Sequence, residues 1–403
     1  MVGVRMKPEI TLVFPRSSFL INETMFPPLG MMYLSAYLKQ HFVAVQMLDM
    51  ALPGTLPEHA EGESVGISIT TPQRDEAFKL AKFYREAGKK MVIAGGPHAT
   101  HMPQDCLNNG FTHVVQGYGE QKLLSLMRPF LDEIDMSVDE YPFPDRDGLP
   151  IKQYYQEIQG RPATVIMSSR GCPYHCSFCS KIDDRAQYQS AQRTLDEIFF
   201  VNARYGFDAF TMYDDTFAAD RKRLEIMSEE LGKENYVFRC FCRANLITPV
   251  VARQFAIMGV ETVGIGIESG SDEVLKRNLK RSTRDLNSRA IRLLREVGIK
   301  SKAFLIVGLP GETERTVQQT IGWIEETQPD DISVSIFQPL PGSDIHREPK
   351  KWGIHMNGRM PLWYRGRPGE YESISYTDGL SAEQIVHYRD IIESLYKPQD
   401  LLK

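Results

Sequence analysis

The run Gly171-Cys-Pro-Tyr-His-Cys-Ser-Phe-Cys179 supplies three thiols, Cys172, Cys176 and Cys179, in a C-x3-C-x2-C spacing. Thiolates are strong iron ligands, and three on one short loop can hold a cube of iron and sulfide that normally takes four. The missing fourth ligand leaves one iron open to a substrate or cofactor. The same three residues are also compatible with zinc completed by a distant ligand, or with buried thiols. Cys240 and Cys242 are two apart in a strand-like run, so their side chains share a face. With Cys106 far off in sequence, they read as small buried thiols, with a catalytic thiol as the alternative.

The loop must be positioned by the elements around it. The segment before it, 163–170, reads as a buried strand running into a loop. Further strand signals follow at 209–213, 236–243, 262–267, 301–307 and 331–336. Helical periodicity separates them at 195–204, 221–231, 249–258, 283–297 and 314–326. Six strand-helix units predict a partial (β/α)6 barrel over 163–345, of the kind that carries chemistry at the C-terminal ends of its strands. The cysteines follow the first strand, at that end.

Ahead of the barrel, residues 1–135 alternate strands (10–14, 43–48, 65–69, 91–94, 113–115) with helices (29–41, 75–87, and 120 to about 130). This predicts a Rossmann-like doubly wound domain, which binds ligands at the carboxyl ends of its strands. The crossover from Asp49 to Val65 contains Pro53, Gly54 and Pro57, so it is expected to lack the usual helix. Residues 136–162, rich in Asp, Pro, Tyr and Gly, read as a linker draped over the surface. The tail, 346–403, reads as a loop at 360–369 and a helix at 381–396. Trp352 and Trp363 either line a pocket or anchor the tail. His98 and His101, after the fourth strand, read as exposed loop histidines.

The cysteine run, with the aromatic Phe178 before its third cysteine, resembles the signature of the radical S-adenosylmethionine (radical SAM) enzymes. The resemblance extends along the barrel. Tyr213-Asp-Asp-Thr-Phe217 resembles the end of a strand whose polar side chains, here Asp214 and Asp215, approach the methionine ammonium of the cofactor. Phe241-Cys-Arg-Ala-Asn245 would place Arg243 near the site. Gly266-Ile-Glu-Ser-Gly270 would bring Glu268 and Ser269 to the cofactor's polar groups. Phe304-Leu-Ile-Val-Gly-Leu-Pro-Gly-Glu-Thr313 would set Gly308 and Pro310 beside the adenine. A zwitterion with a sulfonium needs both an acid and a base nearby. Each match has a plainer alternative: Asp214 or Asp215 capping a helix, Arg243 and Glu268 pairing with each other or other groups, Gly308 and Gly311 only turning the chain. In the family, the open iron of a [4Fe-4S] cluster chelates SAM, and an electron from the cluster produces a 5′-deoxyadenosyl radical.

The first domain resembles the cobalamin (B12)-binding domain that precedes the barrel in one large class of this family. The matching runs are Phe26-Pro-Pro-Leu-Gly30, Gly95-Gly-Pro-His98 and Gly117-Tyr-Gly-Glu120. They imply cobalamin contacts at Pro28, Leu29, Gly95, Gly96, Gly117, Gly119 and Glu120, with Ser68 and Thr70 at the end of the third strand. The Asp-x-His-x-x-Gly motif that supplies a histidine to cobalt is absent, so cobalt would have no histidine below it.

Bulk properties narrow the field. Of 403 residues, 42% are hydrophobic and 25% charged, ordinary for a soluble protein. The net charge of −5 argues against a large nucleic-acid footprint. No apolar run approaches a membrane span, and the first twenty residues lack a secretory pattern. Six cysteines are too few for a disulfide framework, and a reducing cytoplasm fits thiolates that must stay free.

The reading implied is a cobalamin-dependent radical SAM enzyme, a methyltransferase acting on an unactivated carbon of a small molecule. Its expected state is a monomer fed electrons by a flavodoxin or ferredoxin. The alternatives are a radical rearrangement or ring-forming enzyme with a degenerate B12 domain, and a non-catalytic corrinoid or iron-sulfur sensor. A methylthiotransferase fits less well, because no second cysteine triad is present.

Overall fold

The computed structural model describes residues 7–18, 20–131, 136–183, 185–358 and 371–395. The chain divides into two compact units, Met1–Tyr155 and Gln156–Lys403.

The first unit is built on a five-stranded parallel sheet. In chain order its strands are Ile10–Phe14, Val45–Asp49, Ser64–Ser68, Met91–Gly95 and His113–Val114, and in space they run second, first, third, fourth, fifth. Short apolar runs suit strands buried on both faces; Ile10, Val13, Val65 and Val92 have no exposed surface. Helix Arg74–Glu86 buries Ala77, Leu80, Ala81 and Tyr84, one stripe at helical spacing. The crossover between the second and third strands holds only a 3-10 turn, Pro57–His59. Its backbone is satisfied by side chains of neighbouring strands instead. Gln46 Nε2 donates to the His59 carbonyl at 2.9 Å, and Gly62 N donates to Thr11 Oγ1 at 3.0 Å.

The stretch expected to be a surface linker is divided between the units. Asp145 accepts hydrogen bonds from Ser35 at 2.6 Å and Lys39 at 2.5 Å, and Tyr154 donates to Asp49 at 2.7 Å. Residues up to Tyr155 are therefore fastened to the first unit. Glu157–Ile158 then forms an antiparallel edge strand on the second sheet.

The second unit carries six parallel strands in sequential spatial order: Arg161–Ile166, Ala209–Met212, Val237–Cys242, Val260–Glu268, Lys300–Val307 and Asp331–Ile336. The sheet ends at the sixth strand on one side and at Glu157–Ile158 on the other, so the barrel is partial. The fifth strand alternates cleanly: Ser301, Ala303, Leu305 and Val307 are buried, while Lys302, Phe304 and Ile306 are partly open. Connecting helices start on polar caps that satisfy their free N–H groups, among them Ser190, Asp220, Thr248, Thr283 and Thr313. Such a cap contributes about 1 kcal/mol. Helix Ala382–Ser394 packs on the fifth and sixth strands. Trp352 joins Val274, Leu309, Phe337 and Ile345 in a satellite core, the anchoring alternative. Trp363, the 360–369 loop and Tyr396 lie outside the described residues.

Candidate functional site

The first barrel strand ends at Ile166, and the turn after it is held from the second strand. Asp214 accepts from the Ser168 hydroxyl at 2.9 Å and from the Ser169 hydroxyl. Arg223 donates to the Ser168 carbonyl at 3.0 Å. Burial pushes the Asp214 carboxyl up, and Arg223 and the two serines oppose it. The chain then makes a short antiparallel ladder, Ser169–Arg170 with Gln187–Tyr188, from which the cysteine loop springs. Gly171 sits at φ +75, and a Cβ there would lie 2.5 Å from the Arg185 carbonyl oxygen, so only glycine fits this root.

Within the loop, Lys181 donates to the carbonyls of Cys172 and Tyr174. Cys179 N bonds to the Cys176 carbonyl at 3.1 Å. Burial raises the Cys172 thiol and pushes Cys179 up to about 12. Thiolates in such surroundings need a bound cation, and metal binding deprotonates them. Among the described residues, no three His, Cys, Asp or Glu side chains converge to grip a single ion. Three thiols on one short loop after a barrel strand would each bind a separate iron of a cube.

The loop is tied to distant parts of the barrel. Ser177 N donates to the Asn278 carbonyl at 3.2 Å, and Ile345 N donates to the Ser177 carbonyl at 3.3 Å. Ser180 Oγ reaches the Pro341 carbonyl at 2.6 Å, and His175 Nε2 lies 2.7 Å from Asp344 Oδ2. Phe178 packs against the Val274, Leu309 and Phe337 core.

From the third strand, Arg243 turns toward this loop. Its guanidinium stacks on the Tyr174 ring at 4.0 Å, and its Nη1 donates to Cys176 Sγ at 3.2 Å. The fourth strand ends in an irregularity between Gly266 and Glu268. Glu268 lies in the left-handed region, φ 65, where a non-glycine residue carries strain. Its Oε1 accepts from Lys280 Nζ at 2.7 Å, and both side chains are almost wholly buried. Gly266 leaves the room: a Cβ there would meet Glu268 and Lys280 at 2.5 and 2.8 Å. After the fifth strand, Gly308 N donates to Glu312 Oε2 at 2.5 Å, and Asn278 donates to the Pro310 carbonyl at 3.0 Å.

The partly open face between these strand ends is lined by Tyr213, Phe241 and Phe304. Their neighbouring ring centroids are 6.2 and 6.0 Å apart. Gly264 lies under them, where a Cβ would come within 2.8 Å of both phenylalanines. Asp215 opens onto solvent, yet protein around it and the Asp214 charge raise its carboxyl.

The strand ends thus bring together Cys172, Cys176, Cys179, Phe178, Asp215, Arg243, Glu268, Gly308 and Pro310. Two expected cofactor contacts are turned away. Asp214 is spent on the two serines. Ser269 has no exposed surface, and its hydroxyl pairs with Thr320 at 3.2 Å and accepts from Ser271 N. Arg243 and Glu268 do not pair with each other. Cys240 and Cys242 are buried on the opposite face from Arg239 and Phe241, and burial raises both thiols, Cys242 to about 11. Lys280, Asn278 and Lys181 had no motif to announce them, and Tyr174 sits within the cysteine run without a role assigned from sequence.

In the first unit, the residues expected to meet cobalamin follow the strand ends. Ser68 and Gly95 close their strands side by side. Gly96, at φ +94, lies so close to Ile69 that a Cβ would meet its carbonyl oxygen at 2.9 Å. A Cβ on Gly95 or Gly30 would meet nothing within 4 Å, so backbone there is open to a bulky ligand. Thr100 ties the next loop in, donating to the Gly96 carbonyl and accepting from Gly117 N. Pro28 caps helix Leu29–Gln40, and Gly119 precedes helix Glu120–Met127. Thr70 is engaged with Gln73 at 2.8 Å. His98 is not an exposed loop residue. It is fully buried between Thr71 and Asp105, each at 3.1 Å, because the short helix Pro97–His101 folds it inward. Burial lowers its pKa against the pull of Asp105.

A Rossmann-like sheet followed by a partial barrel with a three-thiol loop after its first strand defines the class. The radical SAM superfamily pattern matches residues 166–324, and the B12 binding domain pattern matches residues 23–126. The chain therefore carries a B12-binding domain followed by a radical SAM domain. It is 28% identical over 383 residues to an uncharacterized methyltransferase of Pyrococcus horikoshii, covering 84% of this chain and 82% of that one. It is 26% identical over 376 residues to the anaerobic magnesium-protoporphyrin IX monomethyl ester cyclase of Rubrivivax gelatinosus, covering 80% of this chain and 66% of the cyclase. Its fold is similar to the radical S-adenosylmethionine methyltransferase TsrM of Kitasatospora setae, solved with cobalamin and a [4Fe-4S] cluster. The TM-score is 0.74 at 16% identity, over 98% of this chain and 92% of that one. Among the described residues, no helix is long and apolar enough to cross a membrane.

Proposed function

We propose that this chain is a cobalamin-dependent radical SAM enzyme that methylates an unactivated carbon of a small molecule. The observation that carries the proposal is the loop of three thiols rooted by Gly171 and Asp214 at the open end of a partial barrel. When bound, the cluster and S-adenosylmethionine supply a carbon-centred radical, and cobalamin supplies the methyl group.

The protein's own part is to hold and shield. Cys172, Cys176 and Cys179 would hold three irons of the cluster. Glu268, kept in place by Lys280, and the exposed Asp215 are the acids available to the cofactor's ammonium. Gly308 and Pro310 would shape the turn beside the adenine, held there by Glu312 and Asn278. Tyr213, Phe241 and Phe304 form an apolar surface against which a substrate can exclude water. In the first unit, Ser68, Gly95, Gly96 and Gly117 present the open strand ends to the corrinoid. An external one-electron donor of the flavodoxin or ferredoxin kind would reduce the cluster. All six cysteines are free of disulfides, which fits thiols kept reduced in a cytoplasm.

A ring-forming reaction with the same cofactors is the second reading. It is favoured by the missing helix between Asp49 and Ser64 and by the similarity to a cyclase.

The test is anaerobic reconstitution. Reductive cleavage of S-adenosylmethionine by the purified protein is expected; inertness under strong reductant would sink the enzyme reading. Alanine at Cys172, Cys176 and Cys179 should abolish the brown absorbance. Hydroxocobalamin should keep its spectrum with the protein through desalting, and a product heavier by one methylene would separate methylation from ring formation.

A further inference from the structure

We propose that Arg243 is a positioning residue that sets the reduction potential of the cluster by donating a hydrogen bond to the sulfur of Cys176. The inference rests on the cluster assignment above. It concerns a different role from the expected contact with S-adenosylmethionine.

Three nitrogens of the guanidinium are committed, and each commitment aims the group. Nε donates to Asn245 Oδ1 at 3.3 Å, Nη2 donates to the Lys280 carbonyl, and Nη1 donates to Cys176 Sγ at 3.2 Å. The Tyr174 ring covers the flat face at 4.0 Å, and the Tyr174 hydroxyl is itself held by Asn245 Nδ2 at 3.3 Å. Arg243 and Cys176 are both buried. Tyr174 belongs to the cysteine loop and Asn245 follows the third strand, so the clamp registers the loop against the barrel and fixes the N–H on one sulfur. Among the described residues, neither Cys172 nor Cys179 has a side-chain donor on its sulfur.

A guanidinium stays protonated at any working pH. A donor and a fixed positive charge at a ligand sulfur favour the state carrying one more electron, and hydrogen bonds to sulfur are among the levers that set cluster potentials. Arg243 therefore raises the potential and eases reduction by an external donor.

The test is a redox titration of reconstituted protein, following the paramagnetic signal of the reduced cluster, with iron and sulfide assayed in each sample. Arg243→Met is expected to shift the reduction equilibrium at least tenfold toward the oxidised cluster, about 59 mV for one electron. Arg243→Lys, which keeps the charge but not the aimed fork, should shift it less. A methionine variant with full iron and sulfide at the wild-type potential overturns the inference. Where a variant loads no cluster, wild-type protein labelled with 15N-arginine decides. A nitrogen coupling to the reduced cluster in pulsed paramagnetic resonance supports the hydrogen bond, and its absence overturns it. Wild-type protein that binds no iron and sulfide sinks the cluster reading itself, a distinct result.

Discussion

His175, inside the cysteine loop, places Nε2 2.7 Å from Asp344 Oδ2, at the start of the short helix after the sixth strand. With Ser180 on Pro341 and Ile345 on Ser177, this contact joins the loop after the first strand to the segment after the last. A partial barrel lacks the ladder that would otherwise connect these two ends, so isolated side-chain and backbone contacts do it.

Asp344→Ala should therefore loosen the loop more than it destabilises the fold. The pair is half exposed on the histidine side, and such a pair contributes about 1 kcal/mol or less. Melting should shift little, while loss of iron to a chelator should become several-fold faster. Equal rates in variant and wild type would show that the clasp does not hold the loop. Burial would raise the Asp344 carboxyl, but hydrogen bonds from Arg347 and His175 outweigh it and hold the pKa low. The pair's contribution is therefore present near neutrality and fades as acid protonates that carboxylate.

Glu268 and Lys280 form a second, more costly pair. Both are buried, and removing one partner leaves an uncompensated charge in a low-dielectric surrounding, typically about 3–5 kcal/mol. Glu268→Ala should lower the urea midpoint markedly and weaken S-adenosylmethionine binding while the folded fraction keeps its cluster. Glu268→Ala with Lys280→Met should recover much of the stability but not the binding. Binding restored along with stability would assign Glu268 a purely structural role.

Local patterns were legible in the sequence, and pairings across the barrel were not. The thiols and Gly171 are neighbours in the chain, so spacing alone suggests their loop. The parity of Cys240 and Cys242 shows that they share a face, but not which face the helices cover. Ser269 follows Glu268 directly, so the alternation that brings one toward the site turns the other away, and the positive φ of Glu268 ends the strand there. Asp214 carries the chemistry of either a ligand or a cap, and only the nearness of Ser168 and Ser169, 46 and 45 residues away, decides. The crossover without a helix could be anticipated from Pro53 and Pro57. Its repair by Gln46 and Thr11 depends on register, which no local signal encodes.

Gly96 tests the corrinoid assignment from the protein side. At φ +94, with Ile69 backbone inside 3.0 Å of a Cβ, an alanine is strained in both conformation and space. Gly96→Ala should cost about 1–3 kcal/mol in the first unit and lower hydroxocobalamin retention at least tenfold. Undiminished retention would move the corrinoid away from this strand end.

Glu312 gives the sharpest pH dependence. It is fully buried, and burial pushes its carboxyl up to about 8 although the N–H groups of Gly308 and Leu309 oppose the shift. Thr377 binds its carbonyl at 3.2 Å, so the turn after the fifth strand is joined to the tail through this residue. The folded chain therefore holds a proton there that the unfolded chain releases near pH 4.5. Its stabilising effect is complete below that value, declines as pH rises, and is lost through about pH 8, at about 1 kcal/mol per pH unit. Glu312→Gln imitates the protonated acid at every pH. Wild type and variant should have similar urea midpoints near pH 5, and the variant should be the more stable by pH 8.5. Parallel curves between pH 5 and 8.5 would mean that the carboxyl titrates in its ordinary range, with water reaching the turn.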